Sequence, residues 1–284
     1  MSANLTVTST VAAMQEMSLG WRRSGLRVGL VPTMGALHGG HLALIRRADE
    51  LSDRVVVSIF VNPSQFGEHE DYSSYPRDLG GDLRACRAHG VAAVFAPPPE
   101  EMYAPDFSTW VTEEALSRPL CGKFRPGHFR GVATVVVKLF NAVQPEVALF
   151  GQKDIQQALV LERVVRDLNL PVGLEMLPIV REGDGLAMSS RNCGLSADQR
   201  RRATSIFQGL ESARHQFAEG ERAAAVLTAI VSEKVRMAGG RIEYAEARSR
   251  ENLEMLATID RPAVLAVAAW FGQVRLIDNC LLFP

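Results

Sequence analysis

Along the first two thirds of the chain, short apolar runs alternate with stretches whose apolar residues recur at helical spacing. Arg27 to Val31 predicts a strand that Pro32 stops. Leu42, Leu44, Ile45, Ala48 and Leu51 fall at near-helical intervals and predict a helix over Leu42 to Leu51. Val55 to Val61 is almost continuously apolar, as a parallel strand covered on both faces should be. Leu79 to His89 suits a helix, and Val91 to Phe95 a strand before the Pro97-Pro98-Pro99 stop. Val132 to Val143 and Ile155 to Leu168 follow as helices around a strand at Val147 to Phe150, and Val172 to Val180 is a last strand. Crossovers of this length fit right-handed βαβ units. The expected fold class is α/β, a Rossmann-like doubly wound parallel sheet.

The rhythm changes after Val180. Ser196 can cap a helix beginning near Ala197, and Glu221 to Met237 carries a second helical pattern between Gly220 and Gly239-Gly240. Ile242 to Ala247 and Val264 to Trp270 read as strands, with Val274 to Asp278 a third candidate. A smaller α+β C-terminal domain is expected, with the boundary at the polar hinge Glu182-Gly183-Asp184-Gly185. Residues 1–180 would bind nucleotide and residues 181–284 would form a lid.

Charge narrows the partners. The 284 residues carry 31 Lys+Arg against 32 Asp+Glu, so no overall basic face exists to replace the counterions of a nucleic acid. The longest strongly apolar run, Ala263 to Phe271, is too short for a membrane-crossing helix. Met1 to Thr10 has no basic start followed by an apolar stretch, so a secretory signal is not expected. Cys86, Cys121, Cys193 and Cys280 are widely spaced and predict reduced thiols in a cytoplasmic protein.

The chemistry concentrates in Val31-Pro32-Thr33-Met34-Gly35-Ala36-Leu37-His38-Gly39-Gly40-His41, between the first strand and the first helix predicted. In a doubly wound sheet a ligand meets the carboxyl end of a strand there. Gly35, Gly39 and Gly40 let backbone come near a ligand, and the helix start can offer N–H groups to phosphate. His38 and His41, three apart, share a face of the first turn and can both reach a phosphate. A surface pair or half a zinc site is the competing reading, although no nearby ligand spacing completes a zinc site.

Four further segments carry polar groups in suggestive places. Asn62 and Gln65, just past the strand Val55 to Val61, offer neutral amides to a polar organic substrate, or form an ordinary turn. Gly151-Gln152-Lys153-Asp154 follows a strand and opens a helix. Lys153 can meet phosphate, and Asp154 can hold a ribose hydroxyl or cap the helix, or the pair is simply solvated. Met188-Ser189-Ser190-Arg191, after the hinge, can clamp a triphosphate or can be a capping Ser pair beside a surface Arg. Arg125 to Gly131 gathers cationic side chains between glycines, with Arg130 and His128 as weaker candidates.

Together these motifs resemble one family. Pro32 to Gly35 with His38-Gly39-Gly40-His41 is similar to the His-x-Gly-His signature of nucleotidylyl transferases related to class I aminoacyl-tRNA synthetases. Ser58 to Phe66, Arg125 to Val132, Phe150 to Gln157 and Asp184 to Asn192 extend the resemblance, in order, to the pantothenate synthetase (pantoate–β-alanine ligase) family. Met188 to Arg191 resembles that family's form of the Lys-Met-Ser-Lys-Ser loop.

The resemblance implies that pantoate and ATP form a pantoyl adenylate with release of pyrophosphate. The amine of β-alanine then displaces AMP to give pantothenate. It makes Met34, Gly35, Ala36, Leu37, His38, Gly39, Gly40 and His41 an ATP segment, joined by Gly151, Gln152, Lys153, Asp154, the backbone of Val180, and Met188, Ser189, Ser190 and Arg191. His38, His41, Lys153 and Arg191 would carry the catalysis, His41 as proton donor or as a pure hydrogen bonder. Gln65, Gln157 and Asn62 would hold pantoate and β-alanine. Mg2+ would accompany ATP, with Asp82 a weak protein ligand because the family's acidic cluster is thinned here to Asp78-Leu79-Gly80-Gly81-Asp82. A homodimer is implied, with neither nucleic acid nor membrane as partner. A transferase acting on a phosphorylated acceptor, and a nucleotide sensor without turnover, are the competing functions.

Overall fold

The near-continuous apolar runs become one six-stranded parallel sheet in a computed structural model that describes residues 5–68 and 70–284. Its strands are β1 (Thr6–Thr8), β2 (Val28–Thr33), β3 (Arg54–Ile59), β4 (Ala93–Phe95), β5 (Val147–Gly151) and β6 (Gly173–Leu177), in the order β1-β4-β3-β2-β5-β6. Between them run α1 (Val11–Arg23), α2 (Gly39–Leu51), α3 (Leu79–Ala88), the single turns α4 (Pro99–Met102) and α5 (Cys121–Phe124), then α6 (His128–Val143) and α7 (Ile155–Asp167). Leu30, Val56, Phe95 and Phe150 pack against α1 and α6 on one face. Val31, Val55, Val57 and Leu149 pack against Leu44, Ile45 and Ala48 of α2 on the other. Each such side chain contributes about 1.5–3 kcal/mol when fully buried, so both faces must be covered.

The strand order reverses between β2 and β5, where a doubly wound sheet opens. β2 pairs with β3 from Val28↔Arg54 to Thr33↔Ile59, but with β5 only at Gly29↔Val147 and Leu30↔Ala148. Beyond Leu30 the two strands part. Pro32 therefore does not stop β2, as expected from its missing N–H, but lies within it opposite Ser58. The Thr33 carbonyl accepts the Phe60 N–H at 3.1 Å, so Thr33 faces β3 and its neighbour Pro32 faces the gap, where no ladder donor is needed.

Other boundaries moved for local reasons. α6 starts at His128 rather than Val132, after Gly127 in a left-handed conformation, φ +82°. β6 ends at Leu177 because Pro178 follows. β1 and α1 were not foreseen, although Thr10 caps α1 by accepting the Ala13 N–H.

The C-terminal part is α8 (Ala197–Ala203), α9 (Ser205–Ala218) and α10 (Ala224–Met237) against an antiparallel sheet of β7 (Arg241–Ser249), β8 (Ala263–Phe271) and β9 (Val274–Leu282). Ser196 and Gln199 cap α8 reciprocally, as the sequence suggested for Ser196. The fold is α/β with this smaller α+β addition. Tyr244, Val264, Ala266 and Ala268 of the small sheet share an apolar cluster with Phe129, Ile155 and Leu159, so the two parts are packed together. No described helix is long and apolar enough to cross a membrane, and all four cysteines are unpaired.

Close approach of α6 to the turn after β3 depends on Gly131. A β-carbon there would sit 2.4 Å from the Ser64 carbonyl oxygen and 2.8 Å from the Gln65 α-carbon. Gly131→Ala is expected to lower stability by about 1–3 kcal/mol, the usual scale of overpacking. The check is a urea transition whose midpoint falls at unchanged slope.

Candidate active site

The loop leaving β2 turns through two left-handed residues, Gly35 at φ +80° and Ala36 at φ +51°. Asp82 of α3 holds it there: its carboxylate accepts the Ala36 N–H at 2.9 Å and the Leu37 N–H at 2.7 Å. A β-carbon on Gly35 would lie 2.9 Å from that carboxylate. Burial pushes the Asp82 carboxyl up from its ordinary range, against the two N–H bonds that favour its charge. Both oxygens face backbone, which corrects the reading of Asp82 as a magnesium ligand. Among the described residues no three His, Cys, Asp or Glu side chains converge as metal ligands. The donor set therefore does not form a protein-held magnesium site.

His38 is the N-cap of α2. Its Nδ1 accepts the Gly40 N–H at 3.1 Å, and the Nδ1 of His41 accepts the His38 N–H at 3.3 Å. In a neutral imidazole the other nitrogen then carries the proton, so both rings offer Nε2–H as a donor. The rings lie 4.1 Å apart, centroid to centroid. Burial lowers His38 to about 4 and His41 to about 3, helped by the Lys153 charge and, for His41, by His38. With both Nδ1 atoms committed to backbone, the half-zinc-site reading is excluded. The N–H groups of Ala36, Leu37, His38 and Gly40 are engaged internally, whereas that of Gly39 has no acceptor among the described residues.

Gln65 ends the turn after β3. The fully buried Asn62 donates to the Gln65 Oε1 at 3.0 Å and to the Gly131 carbonyl at 3.2 Å, while its own oxygen accepts from Ser64 and Tyr103. Asn62 is thus saturated and orients Gln65, which corrects its reading as a substrate ligand. Tying back Oε1 turns the Gln65 Nε2 toward the cleft, where only the Met34 sulfur lies within reach, at 3.2 Å. The backbone carbonyl of Gln65 accepts from His128 Nδ1 at 2.9 Å and Arg125 at 3.3 Å, and Arg125 pairs with Glu70. Burial lowers His128 to about 4, with the Arg125 charge adding to it. Arg130 turns away to stack on Trp110, 4.6 Å from its ring centre.

The two strand ends bring in the remaining groups. Asp154 makes no side-chain cap to α7, leaving an exposed carboxylate 3.6 Å from the Lys153 ammonium. Open to the cleft yet surrounded by protein, the carboxyl meets partial desolvation that opposes its charge, but Lys153, Arg191 and His128 hold it below the usual range. The Gln152 side chain and the Gln152 and Lys153 carbonyls are fastened to Asn279 of β9. Gln157 faces the cleft, while its neighbour Gln156 is buried and bonded to the 116–121 turn.

In the hinge region the Met188 N–H donates to the Val180 carbonyl at 3.0 Å, and the Val180 N–H has no protein acceptor among the described residues. Ser189 Oγ accepts the Arg191 N–H, Ser190 Oγ meets Tyr75 Oη at 2.9 Å, and Arg191 forks onto Asp71 at 2.7 and 2.9 Å.

His38, His41, Gln65, Lys153, Gln157, Val180 and Arg191 surround one cleft of about 210 Å3 at the β2–β5 gap, with Phe60, Val136 and Leu139 as its apolar wall. A second cavity of about 670 Å3 under the small sheet shares Lys153, Asp154, Gln157, Ser189 and Arg191 with it. A nucleoside triphosphate exceeds the smaller volume, so a nucleotide and an acid together need both. Sequence reasoning missed Glu70 and Asp71, which sit in a polar segment without periodicity, and Asn279, whose strand β9 was expected to end at Asp278.

A doubly wound sheet with phosphate-seeking donors at its switch point defines a Rossmann-like nucleotide-binding protein. The family model described as pantoate-beta-alanine ligase matches residues 6–281, and the chain belongs to that family. Pantothenate synthetase of Thermotoga neapolitana is 52% identical over 97% of this chain and 99% of its own length. Pantothenate synthetase 1 of Bradyrhizobium diazoefficiens is 50% identical over 97% and 98%. The crystal structure of the Thermus thermophilus pantothenate synthetase superposes with a TM-score of 0.91 at 44% identity, covering 98% of this chain and all of that one. Pantoate-beta-alanine ligase from Francisella tularensis, complexed with beta-gamma ATP and beta-alanine, gives 0.81 at 30% identity, covering 98% of each chain.

The three depressed imidazoles make stability pH-dependent. An unfolded histidine takes up a proton near pH 6.5, whereas His38, His41 and His128 refuse it until about 3–4. Unfolding free energy is therefore expected to fall as pH drops from 6.5 toward 4. Urea midpoints at pH 7, 6 and 5 measure the slope, which His128→Gln should make shallower by removing one of the three titrations. An unchanged slope in that variant refutes the assignment to His128.

Proposed function

We propose that this chain condenses pantoate with β-alanine at the expense of ATP, through a pantoyl adenylate, releasing pyrophosphate and AMP. The observation that carries this reading is the Gln65 amide. Its oxygen is tied to Asn62, and its N–H groups face a cleft with an apolar wall and phosphate donors opposite. A branched hydroxy acid with a carboxylate and a methylated carbon fits such a mixed lining, with Gln157 as a second amide. An acceptor carrying its own phosphate would call for cations where Gln65 stands, and a sensor without turnover would not need amides beside the phosphate donors.

The acid needs no base, because a carboxylate is ionised at neutral pH. Gln65 and Gln157 hold it in line with the α-phosphorus, and positioning supplies much of the rate. Charge growing on phosphate oxygens meets the Nε2–H groups of His38 and His41, the Lys153 ammonium and the Arg191 guanidinium. With a pKa of about 3 in the free protein, His41 acts through its hydrogen bond rather than by giving up a second proton. Asp154 is free to take a ribose hydroxyl. The hinge segment, with Ser189 and Ser190, closes over the anhydride and keeps water from it until the amine arrives. Mg2+ bound with the triphosphate would supply further neutralisation of phosphate charge, with no side-chain cluster among the described residues preset to hold it. A homodimer working in the cytoplasm belongs to the same reading, supported by family resemblance and by the unpaired thiols.

The central experiment is isotope exchange of pyrophosphate into ATP, which should require pantoate and proceed without β-alanine. Exchange that also needs β-alanine would rule out a separate adenylate. His41→Ala should fold normally and lose at least about a hundredfold in that exchange, the scale of one lost charge stabiliser. Near-normal exchange would remove His41 from the mechanism. Gln65→Ala should raise the KM for pantoate several-fold more than that for ATP, and equal increases would count against its role.

A further inference from the structure

We infer that Asp71 is a positioning residue that aims Arg191 at the nucleotide, an inference that rests on the phosphate-binding role proposed for Arg191. Arg191 stands in the wall between the cleft of His38 and His41 and the larger cavity, and lines both. Asp71 lines only the larger cavity. The carboxylate thus reaches the guanidinium from the side of the larger cavity. It takes Nε–H at 2.7 Å and one Nη2–H at 2.9 Å in a fork. A guanidinium has five N–H donors, so three remain, including both on Nη1. No other side-chain acceptor meets them among the described residues. The Tyr75 ring lies 5.6 Å from the guanidinium carbon, and the Tyr75 hydroxyl holds the adjacent Ser190. Edge and face of the guanidinium are both fixed before any ligand binds.

Alone, Asp71 could act as a rival anion that phosphate must displace. The fork favours the other role, because it occupies Nε–H and one Nη2–H and leaves both Nη1–H groups without a side-chain acceptor among the described residues. Its charge is secure: burial opposes it, but the Arg191 fork holds the carboxyl below the ordinary range. The pair is close to neutral as a unit, so what Asp71 adds is direction rather than field. Removing its charge should leave Arg191 more strongly cationic yet free to swing. Ground-state attraction for ATP would then persist while alignment in the transition state is lost.

The test is steady-state and exchange kinetics of the full chain bearing Asp71→Asn. The expected result is a kcat for pantoate-dependent pyrophosphate release lower by roughly tenfold to a hundredfold, the scale of a misplacement of about 1 Å. The KM for ATP should not rise. Asp71→Glu, which keeps the fork one methylene farther out, should recover part of the loss. In an Arg191→Ala background, Asp71→Asn should cost nothing further. Unchanged kcat in Asp71→Asn overturns the inference, as does a further loss on top of Arg191→Ala or a KM for ATP that rises in step with the fall in kcat. If Arg191→Ala itself turns over normally, the phosphate role of Arg191 fails first. If Arg191→Ala is impaired and Asp71→Asn is not, only the positioning role falls.

Discussion

The grip of Asp82 on the backbone of Ala36 and Leu37 is the contact on which the phosphate end of the site depends. A non-glycine residue in the left-handed region costs about 1–3 kcal/mol, and Ala36 sits there at φ +51°. Two hydrogen bonds to a carboxylate contribute about 1.5–3 kcal/mol each, enough to offset that strain, while burial still holds the acid above its ordinary range. With the turn held, α2 begins at His38, and the two imidazoles satisfy N–H groups of its first turn. Capping thus uses one nitrogen of each ring and leaves the opposite one for the catalysis proposed above. A helix start with a bare N–H at Gly39 gains two Nε2–H donors besides, set farther out from the backbone.

What could be read from sequence followed the range of the forces involved. The His-x-Gly-His turn and the strand-then-helix context of Lys153 are local, and spacing with glycine punctuation located them. Asp82 was out of reach because its partners lie 45 and 46 residues away, and nothing in an acidic α3 start announces a tertiary contact. Pro32 was misjudged for a similar reason. The rule that proline ends a central strand concerns a missing ladder donor, and the parting of β2 from β5 removes the need for one. Asn62 and Gln65 illustrate a third limit: two buried amides three residues apart look equivalent until packing against Gly131 saturates one and leaves the other's N–H groups toward the cleft. Glu70 and Asp71 lie in a polar stretch whose structure comes entirely from the arginines they meet.

The small sheet belongs to the site as much as the large one does. Asn279 bonds to Gln152 and to the Lys153 carbonyl, so the segment that presents Lys153 is shaped by β9. One residue earlier, Asp278 forks onto Arg181 at 2.6 and 3.0 Å, and Arg181 also holds the Gly185 carbonyl. Asp278 is 3% exposed, and leaving such a charge without its partner costs several kcal/mol. Adjacent residues of one strand therefore fasten both the lysine segment and the hinge. Movement of the hinge without movement of β9 would break that buried pair, which ties the hinge to the small sheet.

Charge bookkeeping around the cleft explains how it discriminates. Arg125 is matched by Glu70, Arg191 by Asp71 and Arg181 by Asp278, while Lys153 has only the looser contact with exposed Asp154. The imidazoles are neutral by virtue of burial and the Lys153 charge. A site so balanced has little net field with which to draw in any polyanion, and it spares the fold the cost of burying unmatched cations. Selectivity must then come from direction: Nε2–H groups on one side, an oriented Gln65 amide on another, and an aimed guanidinium on a third. Those donors converge only at the gap between β2 and β5, so a ligand is held well only if its acceptors lie at matching distances. An acid bridged to a nucleotide through its α-phosphate, the intermediate proposed above, carries acceptors for more than one wall, whereas a free phosphate reaches one wall at a time.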